Sequence, residues 1–223
     1  MTDPASERLP LYTIGHARHP LNEFVRLLQG AGVTHLVDVR SFPRSRTNPQ
    51  FNIDTLPAAL QPHGISYEHM PALGGRRNLQ KNIPPQLNAF WDNRSFHNYA
   101  DYSQQPEFAE ALEELVAIGH EQRTAFMCSE TVWWRCHRRI ITDWLLARGE
   151  TVLHIMPEHI DQATLTRMRV THERFGYLAC PHTAVGLEAW ARLTGQEGGA
   201  GSGGAEAGGT EDGGTATGGA ATG

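Results

Sequence analysis

Short apolar segments that alternate with helical segments constrain the fold of this chain more than any other feature. LYTIGHA at 11–17 and HLVDVR at 35–40 have the length and composition of buried strands. The intervening LNEFVRLLQGAG has apolar residues at helical spacing. Strand, helix and strand within about 30 residues predict a βαβ unit, in which the two strands are parallel and the crossover is right-handed.

The same alternation continues through the rest of the chain. Three further apolar segments have strand character, at 65–70, 123–130 and 150–156. Further helices are predicted at 54–64, 106–120, 133–149 and 161–175 and near 184–193, and the polar segment 71–105 is predicted to form loops and short helices. The pattern predicts an α/β fold, with a mainly parallel sheet of about five strands and helices on both faces.

The last 29 residues differ in composition from the rest of the chain. Residues 195–223 hold 13 of the 23 glycines and contain no aromatic residue, no branched aliphatic residue and no Lys or Arg. Such a segment cannot bury enough apolar surface to offset the entropy of ordering it. We therefore predict a flexible N-terminus at 1–10, a single α/β domain at 11–194 and a disordered Gly/Ala-rich acidic tail at 195–223.

Charge and composition exclude several classes of protein. The net charge of −5 falls to about −1 when the four acidic residues of the tail are set aside, which disfavours a globally basic nucleic-acid binder but not a local basic patch. No apolar run reaches the roughly 18 residues of a membrane span. Because the N-terminus has no signal-peptide pattern and three cysteines form no disulfide framework, we expect a cytoplasmic protein without membrane association.

Chemically active side chains follow the predicted strand ends. In a parallel sheet the carboxyl ends of the strands meet at one edge, and ligands bind there. The residues in question are His16 after the first strand, Asp38 and Arg40 after the second, Cys128 and Glu130 after the fourth, and His137 and Arg138 at the start of the next helix.

Three arginines in one loop suggest an anion site. Arg40, Arg44 and Arg46 lie within seven residues of one another, together with Ser45. The planar guanidinium group matches the oxygens of phosphate or carboxylate in pairs. In the alternative interpretation, Asp38 and nearby acidic residues neutralise these arginines in an ordinary network.

Two cysteines, Cys128 and Cys136, lie near the carboxyl end of the fourth predicted strand, and the sequence is compatible with several roles for them. Cys128 between a strand and a helix is placed where a helix dipole lowers a thiol pKa, although it is equally a small buried apolar residue. Cys128, Cys136 and His137, together with His16 or His154, would provide the four ligands that a zinc site requires. Because the spacing is unlike that of known zinc sites, the sequence predicts no metal site, and it identifies no cofactor.

Five motifs in order resemble those of domain-of-unknown-function family 488. They are Tyr12–His16, Val37–Arg40 with Pro43–Arg46, Leu73–Gly75, Met127–Glu130 and Cys136–Arg138, and they span residues 11–156. The chain departs from the usual family pattern at three positions, namely Ala17, Trp133 and Trp134. The resemblance implies a compact α/β domain of bacterial and archaeal cytoplasmic proteins and no established reaction.

The first functional hypothesis is an enzyme acting on a phosphorylated or nucleotide-like anion. In this hypothesis Glu130 or Asp38 is the acid/base, His16 or His137 is its partner, and Cys128 is a nucleophile if its thiolate is stabilised. The predicted substrate-binding residues are Arg40, Arg44, Ser45, Arg46 and Arg138.

Two alternatives belong to other classes. The first is a non-catalytic module that binds nucleotides or nucleic acid, with arginines on phosphates and the aromatic residues at 91–102 stacked on bases. The second is a redox or sulfur-transfer protein that works through Cys128 and Cys136. The sequence does not specify an oligomeric state.

Overall fold

The fold is that of a computed structural model that describes residues 8–89 and 91–161. Residues 1–7 of the predicted flexible N-terminus lie outside the described residues, and so do the helix predicted near 184–193 and the predicted disordered tail. The helix predicted for 161–175 also lies outside them, apart from its first residue.

One sheet organises the described part of the chain. Its strands are β1 (Leu11–Gly15), β2 (His35–Asp38), β3 (Ser66–His69), β4 (Thr124–Cys128), β5 (Val152–Ile155) and β6 (Ile160–Asp161). The strand order is β3-β2-β4-β1-β5-β6, with β1 to β5 parallel and β6 antiparallel to β5. The predicted five-stranded parallel sheet is therefore confirmed, and the short sixth strand extends it.

Five α-helices accompany the sheet in the described residues. They are α1 (Leu21–Gly30), α2 (Leu56–Leu60), α3 (Arg94–Tyr102), α4 (Pro106–Glu121) and α5 (Arg138–Ala147). The helix predicted from residue 133 begins only at Arg138, because Trp133–Arg135 form a 3-10 turn and Cys136 has extended dihedral angles. None of the helices in the described ranges combines the length and the apolar character that a membrane crossing requires.

Helices cover both faces of the sheet, as the sequence predicts. On one face, Phe24 of α1 and Leu56 of α2 pack with Ile14 of β1. On the other face, Leu112 of α4 and Ile141 of α5 pack with residues of the neighbouring strands. Because helices bury the sheet on both sides, the central strands β1, β2 and β4 consist entirely of buried residues, as is usual for parallel sheets, whereas the edge strand β3 is less buried.

The register of the strands brings their carboxyl ends to one edge. Gly15 at the end of β1 lies opposite Cys128 at the end of β4, and Asp38 at the end of β2 lies opposite Met127. The backbone N–H of His16 donates to the carbonyl of Cys128 at 2.9 Å, so the pairing continues into the loops. The loops that follow β1, β2 and β4 are therefore held side by side.

Candidate functional site

A cavity of about 1060 Å³ opens at the carboxyl edge of the sheet. Its walls come from the loops after β1, β2 and β4, from the segment around Gly75, and from the side of α3 that carries Ser95 and Tyr99. This is the position at which doubly wound α/β proteins bind ligands. Of the predicted site residues, those lining the cavity are His16, Arg40, Arg44, Ser45, Cys128, Glu130 and His137.

Two thiols and an imidazole meet in the wall of this cavity. The Sγ atom of Cys128 lies 3.7 Å from Nδ1 of His137, and the Sγ atom of Cys136 lies 3.6 Å from the same nitrogen. We call Cys128, Cys136 and His137 the thiol–imidazole cluster. Its members meet because β4 ends at Cys128 and because Cys136 and His137 link the 3-10 turn to α5.

The orientation of His137 is fixed by its other nitrogen. Nε2 lies 2.9 Å from the carbonyl oxygen of Val39 and must donate to it, since a carbonyl only accepts. In the neutral ring Nδ1 therefore presents its lone pair to the two thiols. Gly75 leaves room for this ring, because a Cβ atom at that position would lie 2.5 Å from Nδ1.

Arg138 lies beneath the cluster and does not line the cavity. Its side chain is 1 % exposed, and it donates to the hydroxyl of Thr13 at 2.7 Å, to the carbonyl of Glu130 and to the Sγ atom of Cys136 at 3.5 Å. Among the described residues, no carboxylate pairs with it. In the structure Arg138 thus supports the cluster, whereas the sequence analysis predicted that it would bind the substrate.

The two thiols ionise differently. The hydrogen bond to Cys136, followed by burial, raises the pKa of Cys128 to about 12. Burial also opposes ionisation of Cys136, but the hydrogen bond from Cys128 and the charge and N–H groups of Arg138 outweigh it and lower the pKa of Cys136 to about 6. The surroundings therefore favour ionisation of Cys136 over ionisation of Cys128.

Asp38 and Arg40 form a buried ion pair at the end of β2. Nε of Arg40 donates to both carboxylate oxygens of Asp38, at 2.8 and 3.0 Å, and the hydroxyl of Tyr67 donates to the same carboxylate at 2.7 Å. Asp38 is fully buried and does not line the cavity. The pair matches the neutralised network that the sequence left as the alternative for Arg40.

His16 lines the cavity but has both ring nitrogens engaged. Nδ1 donates to the carbonyl of Ala17 at 3.0 Å, and Nε2 accepts from Arg40 at 3.2 Å. Burial, and then the charge of Arg40, lower the pKa of His16 to about 4. The ring therefore stays neutral and helps to orient Arg40.

The remaining predicted anion-binding residues lie on the exposed loop after β2. Arg44 forms an exposed ion pair with Asp54. The backbone N–H of Ser45 donates to the side chain of Asn52 at 2.6 Å. Arg46 is exposed and lies outside the residues that line the cavity.

Three exposed arginines at the mouth are absent from the predicted site. Arg18, Arg76 and Arg135 line the cavity, and none of them forms an ion pair with a described residue. Glu130 is the one carboxylate among the described residues of the wall. The Gly74-Gly75 turn before Arg76 was the sequence signal for this part of the mouth, because only residues without a Cβ fit there against Ser41 and His137.

Comparison with known proteins gives a family. Residues 20–145 match the family described as domain of unknown function DUF488. That segment includes the arginine loop, Gly75 and the whole thiol–imidazole cluster, whereas the sequence resemblance extended from 11 to 156. No curated protein matches the chain, and no solved structure matches it. Since the match covers more than half of the sequence, the chain belongs to the DUF488 family.

Proposed function

We propose that the protein is an enzyme that acts on a small phosphorylated or nucleotide-like anion bound in the cavity. The observation that carries the proposal is the composition of the cavity wall, in which arginines around the mouth accompany a thiol–imidazole cluster and a single described carboxylate. Exposed cations attract and orient an anion, while the groups in the wall supply chemistry.

The charge at the mouth is available to a ligand. Asp38 neutralises Arg40, and Asp54 pairs with Arg44. Arg18, Arg76 and Arg135 have no such partner among the described residues. Three guanidinium groups around one opening suit a ligand with several anionic oxygens, such as a phosphate ester or a diphosphate.

An exposed aromatic ring favours nucleotides among phosphorylated ligands. Phe42 lines the cavity with 66 % of its surface exposed, and the guanidinium of Arg76 lies 5.6 Å from the centre of its ring. A large apolar side chain exposed in this way loses water contacts when a flat ring stacks on it. A nucleobase on Phe42 would leave the phosphates within the reach of the arginines.

Glu130 is suited to move a proton in this site. It follows β4 by two residues, it is exposed to the cavity, and its carboxylate forms no ion pair among the described residues. Asp38 is buried in its pair with Arg40, and the ring of His16 has no free nitrogen. In the proposed reaction the carboxylate of Glu130 therefore accepts a proton from the attacking hydroxyl or water, close to the cluster.

The test is turnover of a panel of phosphorylated metabolites and nucleotides by the full chain. We expect at least one nucleotide to be converted, and Glu130→Gln to lower its kcat by about 10²- to 10⁴-fold, the usual contribution of a general acid or base. Glu121→Gln at the end of α4 is the matched control and should leave kcat unchanged. Equal kcat values for wild type and Glu130→Gln would show that Glu130 does not transfer the proton.

The redox or sulfur-transfer alternative has one specific observation in its favour. The sulfur and nitrogen atoms of Cys128, Cys136 and His137 lie within 4.8 Å of one another, so the two thiols are neighbours. That function requires a disulfide or persulfide to form on these sulfurs while the protein works. The nucleic-acid module has no comparable observation and stays a prediction.

A further inference from the structure

We propose that Cys128, Cys136 and His137 bind a divalent cation of the zinc class, with its fourth coordination position open to the cavity. The ligand atoms are the two Sγ atoms and Nδ1 of the imidazole. The inference goes beyond the proposed function, since it concerns binding of a metal ion and does not require a particular substrate.

The two sulfur–nitrogen separations in the cluster fit a tetrahedral zinc site. Zinc binds sulfur at about 2.3 Å and imidazole nitrogen at about 2.0–2.1 Å, so tetrahedral angles place a sulfur and a nitrogen ligand about 3.6 Å apart. The observed separations between Nδ1 of His137 and the sulfurs of Cys136 and Cys128 are 3.6 and 3.7 Å. Both sulfur–nitrogen pairs therefore already have the separation that a shared zinc-class ion requires.

The outer contacts of the cluster are those that metal ligands commonly have. A metal-bound histidine usually donates its second N–H to a carbonyl or carboxylate, and His137 donates Nε2–H to Val39 at 2.9 Å, which aims Nδ1 at the sulfurs. Nε of Arg138 lies 3.5 Å from the sulfur of Cys136 and donates to it. Both contacts hold the ligands in place from outside the cluster.

Charge and softness favour a zinc-class ion over magnesium or calcium. Two thiolates and a divalent cation sum to zero, so the ion removes the cost of holding two anionic sulfurs in a buried place; Cys128 is 6 % exposed and Cys136 is 3 % exposed. Thiolate and imidazole select zinc and related transition metals, whereas magnesium and calcium take oxygen ligands.

The arrangement corresponds to a catalytic rather than a structural metal site. Structural zinc sites have four protein ligands, whereas catalytic sites have three and keep one position for water or substrate. Among the described residues, the cluster offers three ligands, and all three line the cavity. A ligand oxygen held by the arginines of the mouth can therefore reach the ion.

The experiment uses cobalt(II) as a spectroscopic probe for the site. The full chain is treated with a chelator under reducing conditions, the chelator is removed, and Co²⁺ is added. We expect one Co²⁺ per chain, the visible bands of tetrahedral cobalt and a thiolate charge-transfer band in the near ultraviolet. Zn²⁺ should displace the cobalt and Mg²⁺ should not.

Substitution of each proposed ligand tests whether the ion binds at the cluster. Cys128→Ser, Cys136→Ser and His137→Gln should each weaken cobalt binding by more than about 100-fold, since loss of an outer contact alone costs 10- to 100-fold. Gly75→Ala should also weaken it, because the added Cβ occupies the place of the His137 ring. His63→Gln, on the exposed turn after α2, is the matched control for His137→Gln and should bind like wild type.

Three results of the cobalt titration would overturn the proposal. They are absence of stoichiometric Co²⁺ binding, a spectrum without the thiolate band, and unchanged binding by a Cys128→Ser/Cys136→Ser variant whose circular dichroism matches wild type. A Cys128–Cys136 disulfide found by mass spectrometry after turnover, with no bound metal, would also overturn it and would favour the redox alternative. Turnover of a nucleotide tests the proposed function separately, so the two ideas can fail independently.

Discussion

Gly15→Ala is expected to destabilise the protein by at least about 3 kcal/mol, because no space exists for a Cβ atom at the end of β1. A Cβ atom at this position would lie 1.8 Å from the carbonyl oxygen of Glu130 and 2.9 Å from Nη2 of Arg138. The first contact is with backbone, so β1 or the loop after β4 must move. Either movement also disturbs the edge of the sheet on which the cavity is built.

Thermal unfolding followed by circular dichroism measures this effect. For a chain of this size, 3 kcal/mol corresponds to a fall in Tm of roughly 6–12 °C. Gly30→Ala is the matched control, since a Cβ atom at Gly30 meets nothing within 4 Å and alanine favours the helix α1. Equal Tm values for Gly15→Ala and Gly30→Ala would contradict the close approach of β1 to the loop after β4.

Arg138→Met is expected to lower the free energy of unfolding by about 3–5 kcal/mol, because it leaves several buried polar groups without a partner. The hydroxyl of Thr13 loses a donor at 2.7 Å, and the carbonyl of Glu130 and the sulfur of Cys136 lose theirs. Methionine has a similar length but no N–H group, so packing is largely kept while the hydrogen bonds are lost.

Urea unfolding of three variants separates the role of the guanidinium from that of its charge. Arg138→Lys keeps the charge, but its single ammonium nitrogen cannot reach the three acceptors that Arg138 meets with Nε, Nη1 and Nη2. We expect it to recover less than half of the loss. Arg26→Met on the exposed side of α1 should be close to neutral. If Arg138→Met proved as stable as Arg26→Met, Arg138 would not be the buried anchor described above.

The sheet could be predicted because strands that are buried on both faces have a recognisable apolar sequence pattern. Strands covered by helices on both sides are short, mainly apolar runs, as β1, β2 and β4 are. The five predicted strand segments contain β1 to β5, including the less buried edge strand β3. The strand β6 has two residues and pairs only with β5, so its sequence carries no periodic signal.

The thiol–imidazole cluster could not be predicted from residue spacing, because the segment around it is not a regular helix. A continuous helix from residue 133 would point Cys136 and His137 in different directions. Instead, Trp133–Arg135 form a 3-10 turn, and extended dihedral angles at Cys136 bring its sulfur and the His137 ring together beside Cys128. Such a change of backbone conformation depends on tertiary contacts, here including the support of Arg138.

The roles of the individual arginines also could not be predicted from the sequence. Arg40, Arg44 and Arg138 look alike as cations at strand and helix ends, yet two are paired with carboxylates and one is buried beneath the cluster. Which cation stays free depends on the acids that the fold brings near it. Arg40 meets Asp38 because Asp38 ends β2 and Arg40 lies two residues beyond it, and Arg44 meets Asp54 across the loop.

Calorimetric titration of the full chain with a nucleoside diphosphate, at low and at high salt, tests the central claim most directly, namely that the mouth of the cavity binds an anionic ligand. We predict saturable binding that weakens as salt rises, and a loss of affinity of about 10-fold for each of Arg76→Ala and Arg135→Ala. Arg26→Ala should bind like wild type. Absence of binding at low salt, or equal affinity in wild type and the Arg76→Ala/Arg135→Ala double variant, would contradict the claim.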